Sequence, residues 1–237
     1  MSFHYKAVGV VESPYKEKFA IPRQPGLAKH AFGSILLSPE FTQDAVRDLS
    51  AFSHIWVLFH FHENDDKGWK ALVRPPRLGG NAKAGVFATR STYRPNGIGM
   101  SVLPLSGVTM KGNQVRIDVA QLDLVDGTPI LDIKPYIPYS DSVPDANAGF
   151  ATNAPEARLE VHYSSSAMTT LTQVKDAYPH LKTLIEEVLS QDPRPAYKQQ
   201  TIDKKCYGMA LYCFNIRWQL VNATTIEVVT IEKNNDQ

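Results

Sequence analysis

Short segments that alternate apolar and polar residues, separated by turn residues, constrain the fold of this chain more than any other feature. Residues 53–61 place Ile55, Val57 and Phe59 on one strand face, and residues 114–122 alternate in the same way. Asp126-Gly127 is a signal for a tight turn. Because such strands follow one another without regular strand–helix–strand alternation, the pattern predicts an antiparallel barrel or sandwich.

The pattern changes in the second half of the chain. Helices are predicted over residues 166–178 and 180–190, and the apolar residues of the second recur at the spacing of one helix face. Two β-like runs follow, over residues 205–221 and 225–232, with a turn expected between them. In the first half, one short helix is expected over residues 38–52, where Ser38 can cap it. We therefore predict a mainly β domain over residues 1–150 and a small α+β domain over residues 151–237.

The overall composition names no partner. The chain has 237 residues, a formal net charge of +1 and 43% hydrophobic residues, and it has no apolar run long enough to span a bilayer. Since no leader-like segment is evident either, a cytoplasmic protein is expected. The two cysteines, Cys206 and Cys213, lie in an apolar stretch, which is typical of buried thiols rather than of a metal pair.

Net charge hides a local asymmetry. Residues 67–94 contain seven Lys or Arg and no Asp or Glu, whereas residues 118–145 contain six Asp and one Lys. Trp69, Phe87 and Tyr93 interrupt the basic stretch, and cations mixed with aromatic rings are what an RNA-facing surface needs. A solvated face whose charges pair with the acidic stretch is an equally open interpretation.

The known nucleotide-binding motifs are missing. The Gly97-Ile98-Gly99 run lacks the third glycine of a dinucleotide-binding turn, and neither a P-loop nor a G-x-S-x-G nucleophile turn occurs. Any nucleotide-like cofactor is therefore expected to be held by loops on a β scaffold. The histidines at 54, 60 and 62 leave a metal site open as an alternative to structural roles.

Several ordered motifs together resemble one known family. They are VESPYKEKFAIPRQPG, FSHIWVLFHFH, RPPRLGGNAKAGVFATRSTYRPNGIGMS, LDLVDGTPILDIKPYIPYSD and DPRPAY. Through them the sequence resembles the TrmO (TsaA-like) family of tRNA adenosine N6-methyltransferases, most densely up to about Asp145. One position departs from the family pattern, because Gly97 stands where the family usually has the second proline of RPNPIG.

The resemblance implies a β-barrel methyltransferase domain of non-Rossmann type, followed by a small C-terminal domain. It implies S-adenosyl-L-methionine as the cofactor and a homodimer with the cofactor near the subunit interface. No metal is expected, because no Cys or carboxylate near the histidines has a known zinc-site spacing. The implied substrate is a tRNA that reads threonine codons and carries threonylcarbamoyl on the adenosine next to the anticodon, which is methylated at N6. The cofactor contacts carried over by position are Pro22, Arg23, Gln24, His62, Glu63, Arg90, Leu103, Asp126, Gly127, Thr128 and Pro129.

Roles in catalysis and RNA binding follow as hypotheses. Asp126 is expected to be the catalytic base or a cofactor anchor, with His62 as an alternative proton acceptor. The expected RNA contacts are Lys67, Lys70, Arg74, Arg77, Arg94, Arg194 and Tyr197. The DPRPAY segment that carries the last two residues has a second interpretation, a structural corner after a helix. A non-catalytic RNA-binding barrel and a metal hydrolase are the two rival functions.

Overall fold

The first half of the chain forms a closed antiparallel barrel. The structure is a computed structural model and describes residues 3–79, 81–195, 198–199, 201–203 and 205–234. The strands of this half are β1 (Gly9–Glu12), β2 (Gly33–Leu37), β3 (His54–His60), β4 (Leu72–Val73), β5 (Ala84–Gly85), β6 (Ile98–Lys111), β7 (Gln114–Val119) and β8 (Pro129–Pro135). Six of them are hydrogen-bonded in the order β1-β2-β7-β6-β3-β8, and β8 also pairs with β1, so the sheet closes on itself.

Strict alternation of side chains builds the barrel interior. In β3, Ile55 and Val57 are fully buried and Phe59 is nearly so, whereas the residues that alternate with them, His54, Trp56, Leu58 and His60, are only half-buried. The neighbouring strands contribute Ile117 and Leu103 to the same core. The mainly β class and the inward face of residues 53–61 are therefore confirmed.

The second half consists of a four-stranded sheet covered by two helices. After a short helix α1 (Pro138–Asp141), the elements are β9 (Glu160–Tyr163), α2 (Ser165–Val174), α3 (Leu181–Ser190), β10 (Tyr207–Leu211), β11 (Phe214–Leu220) and β12 (Thr225–Lys233). The strand order is β10-β11-β12-β9, with β9 parallel to β12. All five apolar residues of the predicted stripe of α3 are buried, as their helical spacing predicts.

Two local predictions were wrong. Residues 38–52 form two 3-10 segments, Gln43–Val46 and Leu49–Ala51, because Asp48 adopts a left-handed conformation (φ +63°) that interrupts any helix. The run 205–221 is two strands, since Tyr212 turns the chain with φ +53°. Between β3 and β6, the short strands β4 and β5 pair with each other in an antiparallel manner.

The segment from Ser13 to Glu17 connects the two halves. Tyr15 is completely buried and bridges to Leu211, while Glu17 Oε1 accepts a hydrogen bond from the Ala210 N–H at 3.0 Å. The barrel ends at Pro135 and the second sheet begins at β9, so the predicted boundary at residue 150 falls in the connection and stays a prediction. No helix in the described part of the chain is long and apolar enough to cross a membrane.

Candidate cofactor and RNA site

The turn at Asp126 is fixed to the segment that follows β1. Asp126 Oδ1 accepts the Ser13 N–H at 2.8 Å, and its Oδ2 accepts the Lys16 ammonium at 2.7 Å. Its backbone N–H donates to the Tyr15 carbonyl, also at 2.8 Å. Because both carboxylate oxygens are engaged, one of them by a cation, the geometry favours the anchor role of Asp126 over the role of base.

The rest of this turn presents backbone to the surface. Gly127 has φ +75°, and no heavy atom lies within 4 Å of the position that a Cβ would occupy there. Thr128 is buried and donates its hydroxyl to the Val125 carbonyl at 2.7 Å. Pro129 begins β8 at the end of the turn. A ligand can therefore approach the backbone closely at Gly127.

The proline-framed loop of residues 22–25 meets Arg90. Arg90 Nη1 donates to Gln24 Oε1 at 2.6 Å, which joins two positions that are 66 residues apart. Lys18, just before this loop, bridges to Glu63 through its carbonyl at 2.7 Å and its carboxylate at 3.2 Å. The loop, the start of the 3-10 segment His62–Lys67 and Arg90 are thus tied together.

Positively charged side chains lie around the loop of residues 22–25. Burial and the nearby Arg77 guanidinium lower the pKa of Arg23, although Asp192 acts in the opposite direction. The Arg90 guanidinium lies close enough to Asp123 to lower the pKa of that carboxyl group. Three guanidinium groups therefore surround this loop, an arrangement suited to an anionic ligand group.

Leu103 differs from the other expected cofactor contacts. Its side chain is completely buried, and its position in β6 is paired with Ile55 of β3. The structure therefore assigns its side chain to the barrel core. The remaining expected positions lie in the loops and the turn described above.

Asp123 is a candidate site residue that its sequence context does not single out. It lies between the buried Leu122 and Leu124, and its Oδ1 accepts the hydroxyl of the buried Ser101 at 2.8 Å. Burial raises the pKa of Asp123 to about 6, although Ser101 and Arg90 counteract that effect. Nothing in the local pattern marks this aspartate, because its burial depends on contacts between distant strands.

The corner between β5 and β6 is braced from within. Arg94 Nη1 donates to the Thr89 carbonyl at 2.7 Å, so this arginine supports the loop that carries Arg90. Gly97 has φ +58° and would bring a Cβ within 3.0 Å of the His60 ring. Proline cannot adopt a positive φ, so the backbone at this position differs from one that carries the family's usual proline.

The basic stretch forms an exposed surface. Lys67, Lys70, Arg74 and Arg77 are all exposed, and so are the rings of Trp69 and Phe87. Among the described residues, none of these four cations forms an ion pair with a carboxylate. The acidic stretch pairs elsewhere, for example Asp118 with Arg116 and Asp132 with Lys134. The interpretation in which the two stretches neutralise each other is therefore not supported.

Arg194 does not lie on this surface. Its side chain is only 2% exposed, and its Nε and Nη2 each donate to the Asp192 carboxylate at 2.8 Å. The Asp192 carboxylate raises the pKa of the Arg194 guanidinium. In this arrangement Arg194 offers nothing to RNA, and the structural-corner interpretation is favoured. Tyr197, the other expected contact in DPRPAY, lies outside the described residues.

The histidines do not form a metal centre. His60 Nε2 contacts Asp65 Oδ1 at 2.6 Å, and His54 Nδ1 contacts the Ser53 hydroxyl at 2.9 Å. β3 ends at His60, so His62 belongs to the following 3-10 segment rather than to the same strand face. Within the described ranges, no group of three or more His, Cys, Asp or Glu side chains could hold a metal ion.

The fold is a closed antiparallel barrel, and its polar loops are tied to one another. It therefore belongs to the class of β-barrel proteins that hold ligands with loops, not with the glycine-rich turn of a parallel sheet. More particularly, the chain belongs to the tRNA-methyltransferase O family. The N-terminal domain model of that family matches residues 10–142, and its C-terminal domain model matches residues 156–234. The family resemblance drawn from the motifs is therefore confirmed.

Relatives support the same assignment along nearly the whole chain. The tRNA (adenine(37)-N6)-methyltransferase of Escherichia coli is 50% identical over 232 residues, which covers 98% of both chains. A Pseudomonas aeruginosa protein named "Putative S-adenosylmethionine-dependent methyltransferase RcsF" is 42% identical, again over 98% of both chains. A crystal structure of TrmO from Pseudomonas aeruginosa matches with a TM-score of 0.80 and 36% identity, covering 98% of this chain and 99% of that one.

Proposed function

We propose that this protein is an S-adenosylmethionine-dependent tRNA methyltransferase that methylates N6 of the adenosine next to the anticodon. The observation that carries the proposal is the identity to the Escherichia coli enzyme along nearly the entire chain. The name of the Pseudomonas aeruginosa relative agrees with this cofactor. We further propose threonylcarbamoyladenosine in threonine tRNAs as the substrate, as the motif resemblance implies, with the reaction located in the cytoplasm.

The loops fit the proposed cofactor in their chemistry. Arg90 with Gln24 offers donors for a carboxylate or a hydroxyl, and Gly127 leaves open space beside the backbone of its turn. S-Adenosylmethionine supplies an activated methyl group on a sulfonium, and its leaving group is neutral. The work that remains for the protein is to hold the acceptor nitrogen in line and to remove its proton. We propose that Asp126 acts as an anchor that fixes the turn rather than as the base.

The exposed basic surface is the proposed RNA-binding face. Lys67, Lys70, Arg74 and Arg77 supply cations that form no ion pair with any carboxylate in the described part of the chain, and Trp69 supplies an exposed ring for stacking. Arg77 also donates to the carbonyl of Asn153, so part of its hydrogen-bonding capacity is used within the protein. We assign Arg94 to bracing this face, because it is bonded to its own loop.

The assembly of the protein is also a proposal. We propose a homodimer with the cofactor near the subunit interface, and a division into a barrel domain, residues 1–150, and an α+β domain, residues 151–237. The division is supported by the two family models, which leave residues 143–155 between them. The dimer is supported only by the family resemblance, and light scattering of the purified protein would test it.

One experiment tests the reaction. Purified protein is incubated with labelled S-adenosylmethionine and unmethylated threonine tRNA, and the digested nucleosides are analysed by mass spectrometry. Methyl on the threonylcarbamoyladenosine nucleoside is the expected result, and the same nucleoside should lose its methyl in cells that lack the gene. A non-catalytic RNA-binding barrel would bind tRNA but give no heat with S-adenosylmethionine in calorimetry, and that result would overturn the proposal.

A further inference from the structure

Asp123 is a titratable residue close to the Asp126 turn and to Arg90. It follows β7 in the connection that also carries the Asp126 turn, and it lies between two fully buried leucines. The Leu122 N–H donates to the Ala31 carbonyl at 3.0 Å, and the Leu124 carbonyl accepts the Ser13 hydroxyl at 2.7 Å. These contacts fix the backbone on both sides of the aspartate, so its carboxylate is held in place before any ligand arrives.

The two oxygens of the Asp123 carboxylate differ in their hydrogen bonds. Ser101 is one of the few fully buried polar residues, and its hydroxyl donates to Asp123 Oδ1. No hydrogen bond from another described residue reaches Oδ2, and none of the cations that the structure describes forms an ion pair with the carboxylate. The positive charge of Arg90 acts on the carboxylate from a distance and lowers its pKa, and the carboxylate in turn raises the pKa of the buried Tyr15. Asp123 therefore keeps one oxygen without a hydrogen bond to another described residue, within electrostatic reach of the arginine that meets the cofactor loop.

We propose that Asp123 is the catalytic base that accepts the N6 proton of the modified adenosine, and that Ser101 is a positioning residue that orients it. The inference depends on the proposed function, because it assigns a role within that same methyl transfer. The chemistry requires such a group, since the acyl substituent delocalises the N6 lone pair and makes its proton more acidic.

The step balances in atoms and in charge. The N6–H bond breaks as its proton passes to Asp123 Oδ2, while the N6 electron pair forms a bond to the methyl carbon. The carbon–sulfur bond of the sulfonium methyl donor breaks, and its electron pair stays on sulfur. The carboxylate becomes a carboxylic acid and the sulfonium becomes a neutral thioether. The protonated Asp123 then loses its proton to water.

Other groups near the site fit the role of base less well. Both oxygens of Asp126 are engaged, and Glu63 is bound by Lys18. Asp65 is engaged by His60. Burial holds the pKa of Asp123 near 6, which leaves it ionised at neutral pH yet more basic than an ordinary aspartate. This combination of ionisation and basicity is what a proton acceptor at neutral pH requires.

The test compares Asp123→Asn with the full-length wild type in single-turnover methyl transfer to threonine tRNA. Asparagine keeps the size and the acceptor for Ser101, so S-adenosylmethionine affinity in calorimetry should change by less than about threefold, whereas the methyl-transfer rate should fall by about 10²- to 10⁴-fold. Asp132→Asn, an exposed aspartate paired with Lys134, is the matched control and should keep the wild-type rate.

The pH profile separates catalysis from a structural role. The wild-type rate should rise through pH of about 6 and then level off, because Asp123 must be ionised, and this rise should be missing in Asp123→Asn. A variant rate within about threefold of wild type would overturn the inference. So would a slow variant that keeps the wild-type pH profile. If the wild type itself transfers no methyl group, the proposed function fails and the role of Asp123 falls with it.

Discussion

Asp192→Asn is expected to destabilise the protein strongly, because it leaves a buried guanidinium without a counter-charge. Asp192 and Arg194 side chains are 8% and 2% exposed. The aspartate accepts three hydrogen bonds from Arg194, from Nε and Nη2 at 2.8 Å and from the backbone N–H at 3.3 Å. Asparagine tolerates the left-handed conformation of position 192 (φ +49°), so the backbone is not the source of the expected effect.

The magnitude follows from the contacts that are lost. An asparagine amide directs an N–H group toward the guanidinium in place of one carboxylate oxygen, so that a donor faces a donor. The asparagine oxygen can still accept Nε and the backbone N–H, and the Thr201 carbonyl still accepts Nη1 at 2.9 Å, so the Nη2 bond and the counter-charge are what is lost. Breaking one side of a buried pair costs about 3–5 kcal/mol, a large share of the roughly 5–15 kcal/mol that stabilises a folded protein. For a chain of this size, that loss corresponds to about 10 °C in melting temperature.

The assay is thermal and urea unfolding of three variants followed by circular dichroism. Asp192→Asn and Arg194→Met should each lower the melting temperature, and the double variant should recover part of the loss, because it leaves no unpaired buried charge. A shift of less than about 2 °C for Asp192→Asn would refute the reasoning. Such a small shift would mean that the Arg194 guanidinium is accessible to water. The RNA contact that the sequence predicts for Arg194 would then be possible again.

Three further outcomes are expected. Lys67→Gln combined with Arg74→Gln should reduce the slope of log affinity for tRNA against log salt by about 0.7 per lost contact, while Lys6→Gln should leave the slope unchanged; equal slopes for all three proteins would exclude this surface. Gly99→Ala should destabilise the barrel by about 1–3 kcal/mol in urea unfolding, because the added Cβ would lie 2.3 Å from a phenylalanine ring, and an unchanged midpoint would contradict this packing. Asp123→Asn should be more stable than wild type above pH 6 by up to about 3 kcal/mol. The reason is that the pKa of Asp123 is raised in the folded state, so wild-type stability falls as pH rises from about 4 to 6. A difference in stability between variant and wild type that is the same at pH 4 and at pH 7.5 would contradict it.

The sequence predicts the strands wherever burial alternates strictly. In β3 and in α3 the apolar period alone identifies the element and its inward face, because each element has one face against a single core. The prediction fails where the backbone conformation of a single residue decides where a helix or strand ends. Asp48 and Tyr212 both adopt positive φ, and neither residue type announces a chain reversal as glycine would.

The candidate site was predictable in part. The proline-framed loop and Arg90 were expected to share a ligand, and the contact between Gln24 and Arg90 brings them together. Asp123 was not predictable, because its significance depends on burial beside Ser101 from another strand. Arg194 illustrates the opposite failure, since a charged residue between prolines resembles a surface contact until its buried partner is known.

The segment from Ser13 to Glu17 explains why the barrel and the second sheet belong to one working unit. On one side its backbone holds the turn of Asp126, through the Ser13 N–H and the Tyr15 carbonyl. On the other side Tyr15 and Glu17 are bonded to β10 of the second sheet. A displacement of that sheet would therefore move the backbone that positions the Asp126 turn, and with it the connection that carries Asp123. The second sheet thus acts as a support for the site, even though Arg194, in the connection that leads into that sheet, is buried and paired with Asp192.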